Sequence, residues 1–269
     1  MASKASQKLD GLLDALARCR SAEPPNREEH FQRAFAQARR LHSAPLVHVM
    51  KSPEFTEMAL RQRKLVSRVR LGLKPLEHEG PLELGEPVYT SAGVVYPSRE
   101  TALVLRPAVE VGARVEASPW DSGAFYKSLC ANVSKEPEAQ RAVFAASTLP
   151  APEYREYLVQ YIATCYDCAE DYVQGRPNRF SDPLGILDSR RWDSRVFEVR
   201  FQRTIPVNEL TLMAIFVPNW IKGEKKYESM LGYLGVLRGA RVEVVYYRGE
   251  REQLQPKLRE WLVKNICSG

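Results

Sequence analysis

The stretch SRVFEVRFQ (residues 194–202) carries the strongest strand signal in the chain, and its two faces differ in chemistry. Side chains alternate across a strand, which places Arg195, Phe197, Val199 and Phe201 on one face and Val196, Glu198, Arg200 and Gln202 on the other. The first face is largely apolar and predicts contact with the core. The second face puts Glu198 either in a cleft or on a solvated surface, paired with Arg200 or a cross-strand arginine. Glutamate is disfavoured in strands, so Glu198 is a candidate functional residue.

The pattern of apolar residues on either side of this strand predicts an α+β fold. Further strands are expected near residues 46–50, 87–96, 101–106, 211–217 and 241–247. A long central helix is expected over 152–174, and a shorter one is expected to begin at Ser52-Pro53 and run to about Leu65. Strands mixed with separate helices favour α+β over a doubly wound parallel sheet. The prolines that flank 87–97 and 101–107 predict edge strands or short pairings.

The chain divides into two predicted parts. Residues 1–43 have two helical patterns separated by the breaker SAEPPN (residues 21–26), which predicts an N-terminal helical hairpin. Residues 44–269 hold the strands and form the α+β domain. The hairpin is either a separate lobe or a cover for the core.

Composition narrows the class of protein. The 269 residues carry a net charge of +6, which is equally consistent with a polyanionic partner such as nucleic acid or a dinucleotide and with a soluble basic protein that has no such partner. No run of 18 apolar residues is present and the first 20 residues lack a secretory apolar core, so we expect a cytoplasmic protein with no membrane contact. Five cysteines in a chain of this length do not predict a disulfide framework.

The common nucleotide and metal motifs are missing from the sequence. It contains no G-x-G-x-x-G, no Walker-type phosphate loop and no G-x-S-x-G. The four histidines lack metal-ligand spacing. The pair Cys165-x-x-Cys168 falls inside the predicted long helix with no second pair of ligands, which favours packing over zinc or redox chemistry. No metal site is predicted.

Three segments together resemble the ADP-ribosyltransferase superfamily, including its branch of DarT-type DNA-modifying toxins. They are APLVHVM (residues 44–50), YTSAG (89–93), and FEV (197–199) followed by IPVNELTLMAIFV (205–217). The resemblance spans about residues 44–248. It implies two packed, mainly antiparallel sheets with NAD bound as co-substrate in a cleft between them, without a dinucleotide fingerprint.

The resemblance also implies residue roles. His48 would anchor the nicotinamide-side ribose or the adenosine part, Tyr89 or Ser91 would support the nicotinamide pocket, and Glu198 would hold the ribose 2′-hydroxyl and stabilise the oxocarbenium ion. From their patterns alone, His48 is equally a half-buried strand histidine, and Tyr89 and Ser91 ordinary strand residues. Arginine-modifying members carry Glu or Gln where this chain has Val196, which favours a nucleobase or small molecule as target.

The target is expected to contact the loop 175–193, where Arg176, Asn178 and Arg179 are candidate substrate-binding residues. The basic stretch 58–76 agrees with a nucleic-acid target. A toxin or defence effector of this kind would have an antitoxin or regulatory partner. In the loop 118–123, Asp121 and Ser122 can cap a helix and Gly123 permits close approach of a ligand.

Two other functions stay open at this point. A non-catalytic, basic nucleic-acid-binding or assembly module would explain the charge and the helical hairpin. A metal-dependent nuclease using Glu198 ranks last because no paired-carboxylate spacing is present.

Overall fold

A mixed sheet of eight strands organises the computed structural model, which describes residues 29–93, 99–132, 134–151, 153–176, 196–248 and 253–267. The strands are β1 (Leu46–Met50), β2 (Lys64–Leu65), β3 (Val88–Ala92), β4 (Thr101–Leu105), β5 (Val115–Ser118), β6 (Leu149–Pro150), β7 (Glu198–Phe201), β8 (Ile205–Pro206), β9 (Leu212–Pro218) and β10 (Glu243–Tyr247). The α-helices are α1 (Glu29–Ala38), α2 (Pro53–Gln62), α3 (Ser122–Asn132), α4 (Pro137–Ser147), α5 (Glu153–Cys165), α6 (Ala169–Gln174), α7 (Glu228–Gly239) and α8 (Leu254–Leu262). The predicted α+β class is confirmed.

The strand order in the large sheet is β10-β9-β4-β1-β3-β7-β5-β6, and β2 pairs with β8 in a separate two-stranded sheet. Only the β9–β10 pair is parallel among the described strands. A parallel pair needs a long crossover connection, and α7 lies in that connection. The expected arrangement of two packed sheets around a cleft is not confirmed, because the described strands form one large sheet and one two-stranded sheet.

Helix α2 begins where the sequence predicts. Ser52 is extended (φ −153°, ψ 163°) and Pro53 occupies the first helical position. The helix ends at Gln62, three residues before the expected Leu65, because Arg63 adopts a left-handed conformation with φ 54°. The following residues, Lys64 and Leu65, then pair with β8.

The prediction of one long helix over 152–174 is wrong. Helix α5 ends at Cys165, and α6 starts after Cys168, whose sulfur accepts a hydrogen bond from the Asp171 backbone N–H at 3.4 Å. The apolar pattern continues across this break because Tyr166 and Tyr172 are both buried on the same core. Periodicity alone therefore did not reveal the new helix start.

For β3 and β4 the sequence predicts either edge positions or short pairings, and the edge positions are wrong. β3 lies between β1 and β7, and β4 lies between β1 and β9. Pro87 and Pro107 fall outside the paired residues, so neither ring interrupts a ladder. Proline therefore marks the ends of these strands and does not place them in the sheet.

The sheet is covered on both faces along β7, where all four residues are buried. On one side α5 packs against the sheet, with Tyr154 stacked on Phe197 at 5.9 Å between ring centroids. Helix α1 in turn packs against α5; the first helix of the predicted hairpin lies outside the described residues. None of the described helices is long and apolar enough to cross a membrane.

Candidate functional site

A cavity of about 500 Å³ opens where β1 and β3 separate. These two strands pair only at Leu46–Ala92 and Val47–Ser91. Beyond that point His48 on β1 and Tyr89 on β3 line the cavity together with Glu198 on β7. Apolar side chains of α2 and of the segment 65–76 close the other side. The volume is in the range of small-molecule sites.

His48 fills the gap between the two diverging strands. Its Nδ1 lies 2.6 Å from the backbone carbonyl oxygen of Tyr89. A carbonyl oxygen only accepts, so Nδ1 carries the proton and donates it, and Nε2 keeps its lone pair in the neutral ring. Burial lowers the pKa of His48, and the hydrogen bond to Tyr89 offsets part of this effect. His48 is therefore neutral at pH 7 and offers one acceptor nitrogen.

Glu198 is 1% exposed and is held at both carboxylate oxygens. Arg200 Nη1 donates to Oε1 at 2.8 Å, and the Ser122 backbone N–H donates to Oε2 at 3.3 Å. The Ser122 N–H belongs to the first turn of α3, where the helix dipole also favours a carboxylate. Glu198 therefore places a fixed negative charge at the cavity.

The alternative of a solvated Glu198–Arg200 pair is wrong, although the pair itself exists. Arg200 is completely buried. Its guanidinium donates to Ser118 Oγ at 2.8 Å and to Thr148 Oγ1 at 3.3 Å, and it lies 4.7 Å from the centre of the Phe144 ring. These contacts fix the arginine, which in turn fixes the carboxylate.

A second set of polar side chains joins Tyr89 to α3. The Tyr89 hydroxyl donates to Glu79 Oε1 at 2.8 Å and lies 3.3 Å from His78 Nε2. The same His78 nitrogen lies 3.0 Å from Ser122 Oγ. Burial and the negative charge of Glu198 raise the pKa of Tyr89, so its hydroxyl stays protonated. The phenol ring is thus positioned at the cavity by its hydroxyl.

The structure brings three of the four central predicted residues together. His48, Tyr89 and Glu198 line the cavity, whereas Ser91 is fully buried and its hydroxyl donates to the Val47 carbonyl at 3.4 Å. Ser91 stands opposite Glu198 in the β3–β7 ladder. Ser91 is not among the residues that line the cavity.

The predicted substrate-binding residues lie elsewhere or outside the described residues. Arg176 follows α6 and is ion-paired with Asp171 at 2.9 Å and Glu170 at 3.6 Å. It is not among the residues that line the cavity. Asn178 and Arg179 lie outside the described residues.

Sequence reasoning missed His78 and Glu79, which lie in a loop rich in Pro, Gly and Glu. It did single out the loop before α3, where Asp121 Oδ1 caps the helix by accepting from the Ala124 N–H at 2.7 Å. Asp121 also lines the cavity. Four basic side chains do so as well, namely Lys51, Lys64, Arg68 and Arg99. Two of these four belong to the basic stretch 58–76.

No group of three or more His, Cys, Asp or Glu side chains within the described ranges is arranged to hold a metal ion. No protein-family model matches the chain, and no curated protein is significantly similar to it in sequence.

Proposed function

We propose that the protein is an NAD-dependent mono-ADP-ribosyltransferase. The observation that carries the proposal is the convergence of His48, Tyr89 and Glu198 on one cavity, although they lie up to 150 positions apart in the chain. These are the side chains to which the family resemblance assigns contacts with NAD. The imidazole, the phenol and the carboxylate come from three adjacent strands of one sheet.

The position of the cavity supports the same proposal. The resemblance implies NAD in a cleft between two antiparallel sheets. In this protein the large sheet opens between β1 and β3 after two residue pairs, and the cavity lies at that opening. The two halves of the divided sheet would then act as the two walls of the NAD cleft.

The charges that line the cavity fit a dinucleotide. Lys51, Lys64, Arg68 and Arg99 supply positive charge for a diphosphate. The segment 65–76 and α2 supply apolar surface, which suits the flat faces of a base. Small-molecule sites commonly combine such apolar walls with a few placed polar groups.

Glu198 would act by electrostatics. As nicotinamide leaves, positive charge develops on the ribose, and a carboxylate fixed beside it stabilises that charge without reorganising. Arg200 and the Ser122 N–H hold the carboxylate in place before the reaction begins. His48 Nε2 would accept a hydrogen bond from a hydroxyl of the ligand. These roles need no metal ion.

The acceptor that we propose is a nucleic acid or nucleotide. Val196 stands where arginine-modifying members carry an acidic or amide residue, which disfavours protein arginine. The net charge of +6 and the basic side chains at the cavity favour a polyanion.

A binding and labelling experiment tests the proposal. A ligand present at 100 times its dissociation constant stabilises the native state by about 2.7 kcal/mol, so millimolar NAD should raise the melting temperature by several degrees. Incubation with ³²P-labelled NAD and separate pools of DNA, RNA and protein should label nucleic acid. A protein that is stabilised by DNA but not by NAD, and that labels nothing, would be the non-catalytic binding module instead.

A further inference from the structure

The large sheet gathers basic side chains at one of its ends. Because β4 runs antiparallel to both β1 and β9, and β10 runs parallel to β9, the ends of β1, β9 and β10 lie beside the start of β4. The residues at this end, which we call the strand-end surface, are 51–54, 99–100, 219–226 and 246–248. They include six basic and three acidic residues, a net charge of +3, whereas the whole chain carries +6.

The strand-end surface is continuous with the cavity. Lys51 follows β1, Arg99 precedes β4, and both line the cavity. The Glu100 N–H donates to the Met50 carbonyl at 3.0 Å, and the Tyr247 hydroxyl donates to the Glu100 carbonyl, so the ends of β1, β4 and β10 are joined. From the cavity outward, in the order of the strands, the exposed basic residues are Lys51, Arg99, Lys222, Lys225, Lys226 and Arg248.

The length of this row suits a short stretch of nucleic acid. Neighbouring strands lie about 4.8 Å apart, so the row from β1 to β10 covers roughly 14 Å. That is the length of about four nucleotides at a phosphate spacing of about 3.4 Å along one strand.

Two aromatic side chains are interleaved with these charges. Trp220 is 41% exposed and follows β9 in the 3₁₀ helix Asn219–Gly223. With three residues per turn, the buried Ile221 leaves Trp220 and Lys222 on the two outer sides of this helix. The Lys222 ammonium lies 3.6 Å from the centre of the half-buried Tyr246 ring.

The Trp220 ring is held in place by its neighbour. Tyr227 packs against it at an interplanar angle of 61°, with 5.6 Å between the ring centroids. Tyr227 is itself buried and bonded through its hydroxyl to Glu54. Trp220 is therefore a positioned aromatic ring with part of its surface open to solvent.

A positioned ring among lysines matches the chemistry of an unpaired nucleotide. Its base stacks on the aromatic ring while its phosphates meet the cations, which is how single strands are commonly bound. A duplex offers its phosphates in the same way, but its bases are already stacked on one another. The exposed indole therefore favours single-stranded over double-stranded nucleic acid.

We propose that the strand-end surface binds single-stranded nucleic acid, with a base stacked on Trp220 and phosphates on Lys222, Lys225 and Arg248. The strand would then pass Arg99 and Lys51 to reach the cavity. The inference rests on the proposed function, whose acceptor it places on the protein. The binding step itself needs no NAD and is measured without it.

Fluorescence anisotropy with labelled oligothymidylate and oligouridylate of about 12 nucleotides tests the aromatic contact. In about 50 mM salt we expect at least one of them to bind with a dissociation constant of about 10⁻⁴ M or lower. Trp220→Ala should weaken that binding about 5–150-fold, the effect of losing one base stack, and Trp220→Phe should stay within about threefold because it keeps a ring. Unchanged binding in Trp220→Ala, or no binding of either probe to the wild type, would overturn the proposal.

The salt dependence of the same binding tests the cations. Lys222→Gln should reduce the slope of log K against log salt by about 0.7, the value for one phosphate contact in a single strand. The matched control is Arg238→Gln, which removes an exposed cation from the last turn of α7, before β10 begins. Equal slopes in the two variants would overturn the proposed phosphate contact. A duplex that binds the wild type and Trp220→Ala as tightly as the single strand binds the wild type would do the same for the proposed stacking.

The outcomes separate this inference from the proposed function. If the wild type releases no nicotinamide and labels nothing but binds oligonucleotide through Trp220, the proposed function fails and the surface is that of a non-catalytic binding module. If the wild type labels nucleic acid and Trp220→Ala does so at the same half-saturating oligonucleotide concentration, only the surface is refuted. Trp220→Ala also loses its contact with Tyr227, so its folding is checked by thermal melting. If it does not fold, Lys222→Gln/Lys225→Gln replaces it, and wild-type affinity in that variant would refute the inference.

Discussion

Replacing Glu198 with glutamine changes one atom of the side chain but removes half of a buried ion pair. Both partners are almost completely inaccessible, and their charged atoms lie 2.8 Å apart. Removing one member of such a pair costs about 3–5 kcal/mol, because the other charge stays buried without compensation. Glutamine retains an oxygen that can accept from Arg200, so we expect the lower end, about 3 kcal/mol. For a chain of this size that is a fall of roughly 6–12 °C in melting temperature.

The loss of stability would obscure the loss of catalysis unless the two are separated. We therefore expect the double variant Glu198→Gln/Arg200→Met to regain part of the stability, since it removes the buried charge of Arg200 that the single variant leaves uncompensated. Ser118 and Thr148 keep their other hydrogen bonds, to the carbonyls of Trp120 and Phe144. Activity should stay about 10²–10³-fold below the wild type in both variants, because the charge beside the ribose is missing.

The measurements are thermal melting and nicotinamide release from NAD, made on the single variant, the double variant and Glu209→Gln. Glu209 belongs to an exposed pair with Arg63 at 3.7 Å, so its replacement should change stability by about 0–1 kcal/mol and leave activity intact. Wild-type turnover in the double variant would show that Glu198 is not catalytic. A single variant as stable as the wild type would refute the argument from the buried pair.

Three further outcomes follow from buried polar groups. Tyr89→Phe removes the hydroxyl that donates to Glu79, and Glu79 is only 4% exposed. The free energy of unfolding, measured by chemical denaturation, should fall by about 1–3 kcal/mol. An unchanged denaturation midpoint would contradict the Tyr89–Glu79 hydrogen bond. Burial lowers the pKa of His48 and His78 below 6.5, so at a pH just below 6.5 the unfolded chain binds more protons than the folded protein. The melting temperature should therefore fall as the pH drops below about 6.5. A melting temperature that does not change from pH 7.5 to 5.5 would contradict buried, neutral rings. Arg155→Met should cost about 3–5 kcal/mol of unfolding free energy, because the carboxylate of Glu110, whose side chain is 11% exposed, loses its positively charged partner. A loss under 1 kcal/mol would show that the Arg155–Glu110 pair is dispensable.

Local pattern was enough to locate most strands of the large sheet. The strands expected near 46–50, 101–106, 211–217 and 241–247 lie where predicted, to within two residues. The start of α2 at Ser52-Pro53 is also confirmed. These features depend on side-chain alternation, β-branched residues and a proline at the first helical position, which are properties of neighbouring residues.

The candidate site was only partly accessible to the same reasoning. His48, Tyr89 and Glu198 were found through short motifs on strands, whereas His78 and Glu79 lie in a loop without periodicity. Their importance comes from contacts with Tyr89 and Ser122, 10–44 positions away. A histidine next to a glutamate in a loop gives no sign of such partners.

The sequence by itself determined the α+β class, the positions of the strands and the basic character of the chain, since each follows from composition or from spacing along a few residues. Only the tertiary structure decided that β3 and β4 are internal, that β7 is buried on both faces and that β1 and β3 part beside His48. Alternation distinguishes the two faces of a strand but does not say what covers each face. That depends on segments distant in the chain, such as the start of α3 and β7, whose Ser122–Glu198 contact spans 76 positions. In the folded protein the Glu198–Arg200 pair is buried at the cavity instead of exposed on a surface.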